Sequence, residues 1–130
     1  MARSEAQAML RVARRDLRAA SLLAVDEADE ASWGFQVQQA IEKTLKAWIL
    51  SCDCKAPFTH DIAELLQILS EQSVDPSPYL QFSQFTLFAV QLRYDDEPES
   101  LDLDRQHWIV EVQALLDEVD QSIVTNNNTP

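Results

Sequence analysis

Four polar side chains have a spacing that places them on one face of a helix. Gln36, Gln39, Lys43 and Lys46 follow one another at intervals of three, four and three residues. Amide and ammonium groups in this arrangement could line a polar groove and offset the charge of a phosphate. The alternative is a solvent-exposed flank, stabilised by a pair between Glu42 and Lys46 four residues apart. The spacing leaves both interpretations open.

Arg93, His60 and His107 are the other residues that could carry chemistry. Arg93 lies in "QLRYDDEPES", where its guanidinium could bind a phosphate or pair with the carboxylates that follow. Each histidine lies near a helix start, where it could cap or pack as well as act as an acid or base. We therefore expect one ligand site with members from several helices: Gln39, Lys43, Lys46, His60 and Arg93. Arg93 and His107 are the candidate catalytic residues.

Cys52 and Cys54 are predicted to be free thiols, because a bridge between residues two apart would strain the backbone. The Cys-x-Cys spacing is not typical of zinc sites, and further ligands would have to come from distant segments. The sequence has no Gly-rich phosphate loop, His-Glu-x-x-His pair or Gly-x-Ser-x-Gly elbow. We predict neither a metal site nor a cofactor.

The charge of the chain argues against broad, nonspecific binding to nucleic acid. The 130 residues carry 22 acids and 10 bases, a formal net charge of −12. Five arginines lie within residues 1–18, whereas the remainder carries twenty acids and five bases. Such a surface repels polyanions at long range, although a local basic cleft, or one shared by two chains, is compatible with the sequence.

The apolar pattern predicts an all-α fold, an up-and-down bundle of about five helices. Gly34 is the only glycine in the chain, and apolar residues recur at three and four rather than at two. Residues 1–124 are predicted to form the domain and residues 125–130 a polar tail. The predicted helices are Ser4 to Val25, Ser32 to Ser51, one within "THDIAELLQILSE", Ser77 to Tyr94 and Asp102 to Val124.

Apolar rows and capping residues define these helices. Asp61, followed by Glu64, has the form of a capping box for the third helix, and Thr59 is the competing cap. Ser77 before Pro78 predicts the start of the fourth. Four rows are predicted to face the core: Trp33, Val37, Ala40, Ile41, Thr44, Leu45 and Trp48; Ile62, Leu65, Leu66 and Leu69; Tyr79, Phe82, Phe85, Thr86, Ala89 and Val90; and Trp108, Val112, Leu115, Leu116, Val119 and Ile123.

The sequence predicts a cytoplasmic protein that does not enter a membrane. No apolar run approaches the eighteen or so residues needed to cross a bilayer. Arginines interrupt the first twenty residues, so we expect no secretory signal.

Three segments resemble a HEPN domain of the bacterial and archaeal type: "FQVQQAIEKTLKAWIL", "THDIAELLQIL" and "LRYDD". The likeness extends from "RRDLRAASLL" through the fifth helix, and its most specific part is Gln-Gln-Ala-x-Glu-Lys-x-Leu-Lys followed by Thr-His-Asp. The resemblance implies a five-helix bundle that is usually a homodimer. It also implies a toxin–antitoxin pair, because such domains are often encoded beside a minimal nucleotidyltransferase.

Many proteins that this chain resembles are metal-independent ribonucleases, and here the sequence departs from them. In those members an arginine is followed, after four to six residues, by a histidine at the start of the last helix. Arg93 lies too far ahead of His107, Arg105 lies too close, and Asp102 occupies the position of tightest allowed spacing. Without the matched pair, such a site lacks an acid or base beside the 2′-hydroxyl and a cation for the phosphorane charge.

We therefore expect a homodimeric HEPN protein without the ribonuclease motif, which binds a nucleotidyltransferase partner and a nucleotide in its polar cleft. One alternative is a ribonuclease toxin that uses His107 or His60 with Arg93 or Arg105 on an RNA substrate. The other is an interaction adaptor with no small ligand.

Overall fold

The computed structural model describes residues 2–128, and the side chains of residues 2–125. Its α-helices are α1 (Ala2–Leu22), α2 (Glu30–Ser51), α3 (Ile62–Glu71), α4 (Thr86–Val90) and α5 (Arg105–Asn128). A 3₁₀ helix over Ser77–Phe85 precedes α4, and a 3₁₀ turn over Leu92–Tyr94 follows it. The described residues contain no strand, so the prediction of an all-α helical bundle is confirmed.

Helix α2 is the central element and contacts all the other helical segments. All seven residues of its predicted core row are buried, and so are the predicted rows of α3 and α5. Two polar residues of α2, Gln38 and Glu42, are buried as well. Because α2 is enclosed on most sides, its polar side chains do not form an open flank in water.

The fourth helical region has the predicted bounds, Ser77 and Tyr94, but its first half, Ser77–Phe85, is a 3₁₀ helix rather than the predicted α-helix. The aromatic side chains that it buries with α4 recur every three residues: Tyr79, Phe82, Phe85 and Phe88. Three residues make one turn of a 3₁₀ helix, so this spacing keeps the rings on one side, whereas in an α-helix the row would rotate by about 60° at each step. Val90, predicted to be buried, is 52% exposed.

The start of the 3₁₀ helix also differs from the prediction. Ser77 is its first residue rather than its cap, and the Asp75 carboxylate accepts the Ser77 N–H at 3.0 Å. The backbone hydrogen bond from Ser77 holds the pKa of Asp75 below its usual value. Two residues after Ser77, the Tyr79 hydroxyl donates a hydrogen bond to the Glu118 carboxylate of α5. The 3₁₀ helix is therefore fixed to the last helix of the bundle.

Helix α5 starts later and ends later than predicted. Asp102 has a left-handed backbone (φ 53°), which interrupts the helix, and the Asp104 carboxylate accepts the His107 N–H in the first turn. At the other end α5 continues to Asn128, because no glycine or proline stops it before Pro130. Part of the predicted polar tail therefore belongs to the helix, and residues 129–130 lie outside the described range.

Helices α2 and α3 end in the same way, with a left-handed residue that allows two backbone hydrogen bonds to close the last turn. After α2 this residue is Asp53 (φ 60°), and after α3 it is Ser73 (φ 67°). Cys52 and Cys54 lie just after the end of α2 and are free thiols, as predicted. Burial raises the pKa of the Cys52 thiol.

Candidate functional site

A buried carboxylate on α2 is the centre of a polar network. Glu42 is 4% exposed, and its two oxygens accept hydrogen bonds from three side chains. Gln38 Nε2 lies at 3.0 Å, His60 Nδ1 at 2.8 Å and Lys46 Nζ at 2.9 Å. The predicted pair between Glu42 and Lys46 is therefore present, but inside the protein rather than on an exposed flank.

The three hydrogen bonds keep Glu42 ionised. Burial alone would raise the pKa of Glu42, but the hydrogen bonds from Gln38, His60 and Lys46 together outweigh it, so the pKa lies below its ordinary value of 4.5. Since an ionised carboxylate can only accept, His60 Nδ1 carries the proton of the bond between them. The imidazole is therefore oriented by Glu42, and its side chain is half exposed.

The same network attaches the loop between α2 and α3 to the central helix. Gln38 Nε2 also donates to the backbone carbonyl of His60 at 3.1 Å, and Gln39 Nε2 donates to Gln38 Oε1 at 2.7 Å. Beside it, the Asp61 carboxylate caps α3 by accepting the Ala63 N–H at 3.0 Å, as predicted. Three of the predicted ligand residues, Gln39, Lys46 and His60, therefore belong to one connected group.

Lys43 does not join this group. Its ammonium forms an ion pair with Asp16 of α1, and both side chains are largely buried. Lys43 and Lys46 lie three positions apart on α2, but Lys43 binds a carboxylate of α1, whereas Lys46 binds Glu42 of α2 itself. The structure therefore uses Lys43 to hold α1 against α2.

Arg93 lies in a separate cleft of about 650 Å³ between the start of α2 and the loop that precedes α5. Its guanidinium carbon is 4.8 Å from the centre of the Phe35 ring and 5.6 Å from that of Tyr94. The cleft is lined by two arginines and five carboxylates: Arg93, Arg105, Asp29, Glu30, Asp95, Asp96 and Glu99. An excess of carboxylates favours a cationic partner and disfavours a phosphate.

One wall of this cleft is an acidic loop that precedes α5, and the Glu30 side chain binds its backbone. The Glu30 carboxylate, in the first turn of α2, accepts the backbone N–H groups of Leu101 at 2.7 Å and Leu103 at 3.3 Å. We call residues 95–104 the acidic loop. Its position relative to α2 is therefore set by hydrogen bonds from its backbone.

The structure does not bring Arg93 and His107 together. Arg105 donates to the carbonyls of Leu23 and Val25 and lies 5.9 Å from the Trp33 ring, so it joins the end of α1 to α5. The exposed His107 ring contacts the edge of Trp108, and His107 is not among the residues that line the Arg93 cleft. Among the described side chains, no contact joins the candidate acid–base residue His107 to the candidate cation Arg93.

An apolar groove of about 1030 Å³ borders the His60 side chain. Four large apolar side chains line this groove. Phe58 is fully exposed, Leu80 is 54% exposed, Val90 is 52% exposed and Leu87 is 37% exposed. Most of the remaining lining residues are neutral polar residues: Thr59, Gln81, Ser83, Gln84, Thr86 and Gln91. Asp61 is the one carboxylate in the described lining, so the groove is an almost neutral surface on an acidic protein.

The comparison with family models decides what this fold is. The HEPN domain model matches residues 6–122. The chain belongs to the HEPN domain family. Comparisons with curated proteins and with solved structures gave no match. Membership in the HEPN family supports a function of the general HEPN type, a class that includes ribonuclease toxins. The predicted resemblance to this family is confirmed at the level of the domain.

The two most specific segments of the resemblance contact each other in the structure. "QQAIEK" on α2 supplies Gln38, Gln39 and Glu42, and "THD" supplies His60 and the cap of α3. Sequence reasoning identified Gln39, Lys46 and His60 but missed Gln38 and considered Glu42 only as a surface partner. Spacing could have found both, because Gln38 and Glu42 continue the buried row of Leu45 and Ile49 along α2.

Two further properties of the HEPN domain concern the described residues only. No described helix has the length and hydropathy needed to span a membrane. Within the same residues, no group of three or more histidine, cysteine, aspartate and glutamate side chains is arranged to bind a metal ion.

Proposed function

We propose that this chain is a non-catalytic HEPN module that forms a homodimer and binds a nucleotidyltransferase partner in a toxin–antitoxin pair. The separation of Arg93 from His107 is the observation that supports this proposal most strongly. Metal-independent cleavage of RNA needs an acid or base at the 2′-hydroxyl and a cation at the phosphate in the same site. Arg93 lies against Phe35 in an acidic cleft, and His107 lies outside that cleft.

The apolar groove supports the homodimer. Exposed apolar patches of this kind mark interaction surfaces, and a neutral polar rim around an apolar centre is typical of interfaces between proteins. Two copies that each carry a net charge of −12 repel one another over most of their surfaces. The groove has a single carboxylate, Asp61, so a second copy can approach there with the least repulsion.

The Arg93 cleft supports the partner. Five carboxylates face two arginines there, and the acidic loop adds exposed carboxylates at its edge. A nucleotidyltransferase with a basic surface would be attracted to this side of the bundle. The proposal includes a nucleotide bound near His60. Its phosphate would have to compete with Glu42 for Lys46 and His60.

A ribonuclease centred on His60 is the second candidate function. The favouring observation is the hydrogen bond from His60 Nδ1 to Glu42 at 2.8 Å, since a carboxylate that orients an imidazole is a common feature of acid–base sites. The described lining of the groove that His60 borders contains no arginine, so such a site would lack a cation for the phosphorane unless a second chain supplied one.

Purified protein incubated with single-stranded RNA and a metal chelator tests the assignment. We expect no cleavage above the background of a mock preparation, because His107 is not among the residues that line the Arg93 cleft. Co-expression with a nucleotidyltransferase encoded next to this chain should yield a stable complex. Metal-independent cleavage that is lost in His60→Ala and kept in His107→Ala would establish the second candidate instead, and failure to form a complex would count against the partner.

Two substitutions in the groove test the homodimer by light scattering coupled to size exclusion. The wild-type protein is expected to have the mass of a dimer, and Leu87→Glu combined with Val90→Glu is expected to give a monomer. The reason is that each copy would place two carboxylates in an apolar contact. Gln67→Glu combined with Gln121→Glu changes two exposed residues by the same charge and should remain a dimer. A monomeric wild type, or a dimeric groove variant, would contradict this interface.

A further inference from the structure

Three arginines form a row on the outer surface of α1. Arg11, Arg15 and Arg18 are four and three residues apart, and all are exposed. Because an α-helix turns by about 100° per residue, they lie opposite the buried face of the helix. That buried face consists of Ala6, Leu10, Ala13, Leu17 and Ala20. We call Arg11, Arg15 and Arg18 the arginine row.

Three other cations of the bundle, Arg14, Lys43 and Lys46, form ion pairs with carboxylates, and Arg93 and Arg105 contact rings or backbone carbonyls, whereas the arginine row has no such contact among the described side chains. Arg14, also on α1, pairs with Asp120 at 3.0 Å and with Asp117 at 3.6 Å, both on α5. Lys43 pairs with Asp16, one of the two carboxylates of α1. Among the described side chains, no ion pair involves the arginine row, although the chain carries 22 acids.

Folding does not account for the arginine row. Like charges three and four residues apart repel one another on a helix surface, so the three guanidinium groups weaken α1. Their stems do not cover the core, because the buried face of α1 is on the other side. A role in binding accounts for a row of cations that the bundle itself does not use.

We infer that the arginine row is the docking surface for an acidic helix of a partner protein. A guanidinium and a carboxylate can form two parallel hydrogen bonds, so glutamates at i, i+4 and i+7 of a partner helix match the row. The row extends about 10 Å along the axis, two turns of helix. Leu22, which is 80% exposed, lies on the same face of α1 and offers the partner helix an apolar side chain at the end of the arginine row. This partner is distinct from the basic one proposed for the Arg93 cleft.

The surroundings of the row favour an acidic protein helix over nucleic acid. Single-stranded RNA is bound mainly by stacking of its bases on aromatic side chains, and the outer face of α1 has none. A long polyanion would also extend beyond the row onto a surface with twenty acids and five bases after residue 18. A short helix needs contact with the row alone.

Binding of a fluorescent peptide tests this surface. The probe is an alanine-rich helical peptide of about 16 residues with glutamates at i, i+4 and i+7, measured by anisotropy at low and at physiological ionic strength. Arg11→Gln, Arg15→Gln and Arg18→Gln together should weaken binding at least about tenfold, because three ion pairs are lost. The same peptide with glutamines in place of the glutamates should bind the wild-type protein no more tightly than the glutamate peptide binds the triple variant.

A matched control separates the arginine row from the overall charge. Gln67→Glu, Gln72→Glu and Gln121→Glu lower the net charge by the same amount at exposed sites, and should change the affinity by no more than about threefold at physiological salt. Circular dichroism should show that the triple glutamine variant remains folded. Equal binding by the triple variant and the wild type would overturn the inference. The inference would also be overturned if single-stranded RNA bound the wild type more tightly than the peptide does and the triple variant no longer bound this RNA.

Discussion

Glu42→Ala is expected to lower the free energy of unfolding by about 3 kcal/mol, the usual cost of leaving a buried charge without its partner. The substitution removes the acceptor of Gln38, His60 and Lys46 at once, and Lys46 is itself largely buried. Glu42→Gln keeps the shape of the side chain and should cost about 1–2 kcal/mol. Urea denaturation followed by tryptophan fluorescence measures both. Glu71→Gln, which changes an exposed carboxylate of α3, serves as the control and should be close to neutral.

Glu42→Gln should also change the dependence of the free energy of unfolding on pH. The pKa of Glu42 is lower in the folded protein than its ordinary value of 4.5, so the unfolded chain binds this proton more tightly. The stability that Glu42 supplies is therefore complete above that ordinary value and is lost as the pH falls through the folded pKa. Glu42→Gln should flatten the acid limb of the stability curve. A variant with the acid limb of the wild type would show that Glu42 is not the carboxylate responsible.

Gly34→Ala is expected to destabilise the protein by about 1–3 kcal/mol, the usual cost of overpacking a core. A Cβ atom at position 34 would lie 2.2 Å from two ring atoms of Phe88. Phe88 is 1% exposed and packs against Trp33 and Phe85, so its ring can make room for the methyl group only by leaving these contacts and moving toward the Arg93 cleft, which it lines. Alanine is better than glycine in a helix by about 1 kcal/mol, and this gain offsets part of the cost. Chemical denaturation monitored by circular dichroism measures the balance.

A double-mutant cycle identifies the cause of that loss. With Phe88→Leu in place, the smaller side chain leaves room for a methyl group, and Gly34→Ala should then be neutral or stabilising. Phe88→Leu alone is the reference for the cycle. If Gly34→Ala stabilised the protein with Phe88 intact, the close approach of α2 to α4 would not be the reason for glycine at this position.

Most of the fold could be predicted because burial follows helical periodicity. The rows of α2, α3 and α5 were identified from spacing alone, and each is buried. The segment from Ser77 to Tyr94 could not be assigned in the same way, because rows spaced by three and by four overlap over two or three turns. The choice between a 3₁₀ helix and an α-helix there depends on how Tyr79, Phe82 and Phe85 pack against α5 and Trp48.

The candidate site was less predictable, because its pairings depend on which helices are neighbours. Lys43 and Lys46 are equivalent in sequence, but α1 supplies Asp16 to one and α2 supplies Glu42 to the other. Arg93 lies against Phe35, a contact between residues far apart in the chain. The apolar groove left a weaker signal, a second set of apolar residues at Leu80, Leu87 and Val90 beside the aromatic row. Charge and hydropathy suggest which residues bind, whereas packing order decides what they bind.

The 3₁₀ helix that supplies one wall of the groove gives this surface a pliable side. Its hydrogen bonds join residues three apart and have poorer geometry than those of an α-helix. A shift of these bonds to residues four apart would put more residues in each turn, shorten the segment along its axis and rotate Leu80 relative to Val90. The width of the groove is thus coupled to the winding of nine residues, and any rewinding must also move the Tyr79, Phe82 and Phe85 rings that pack against α2 and α5.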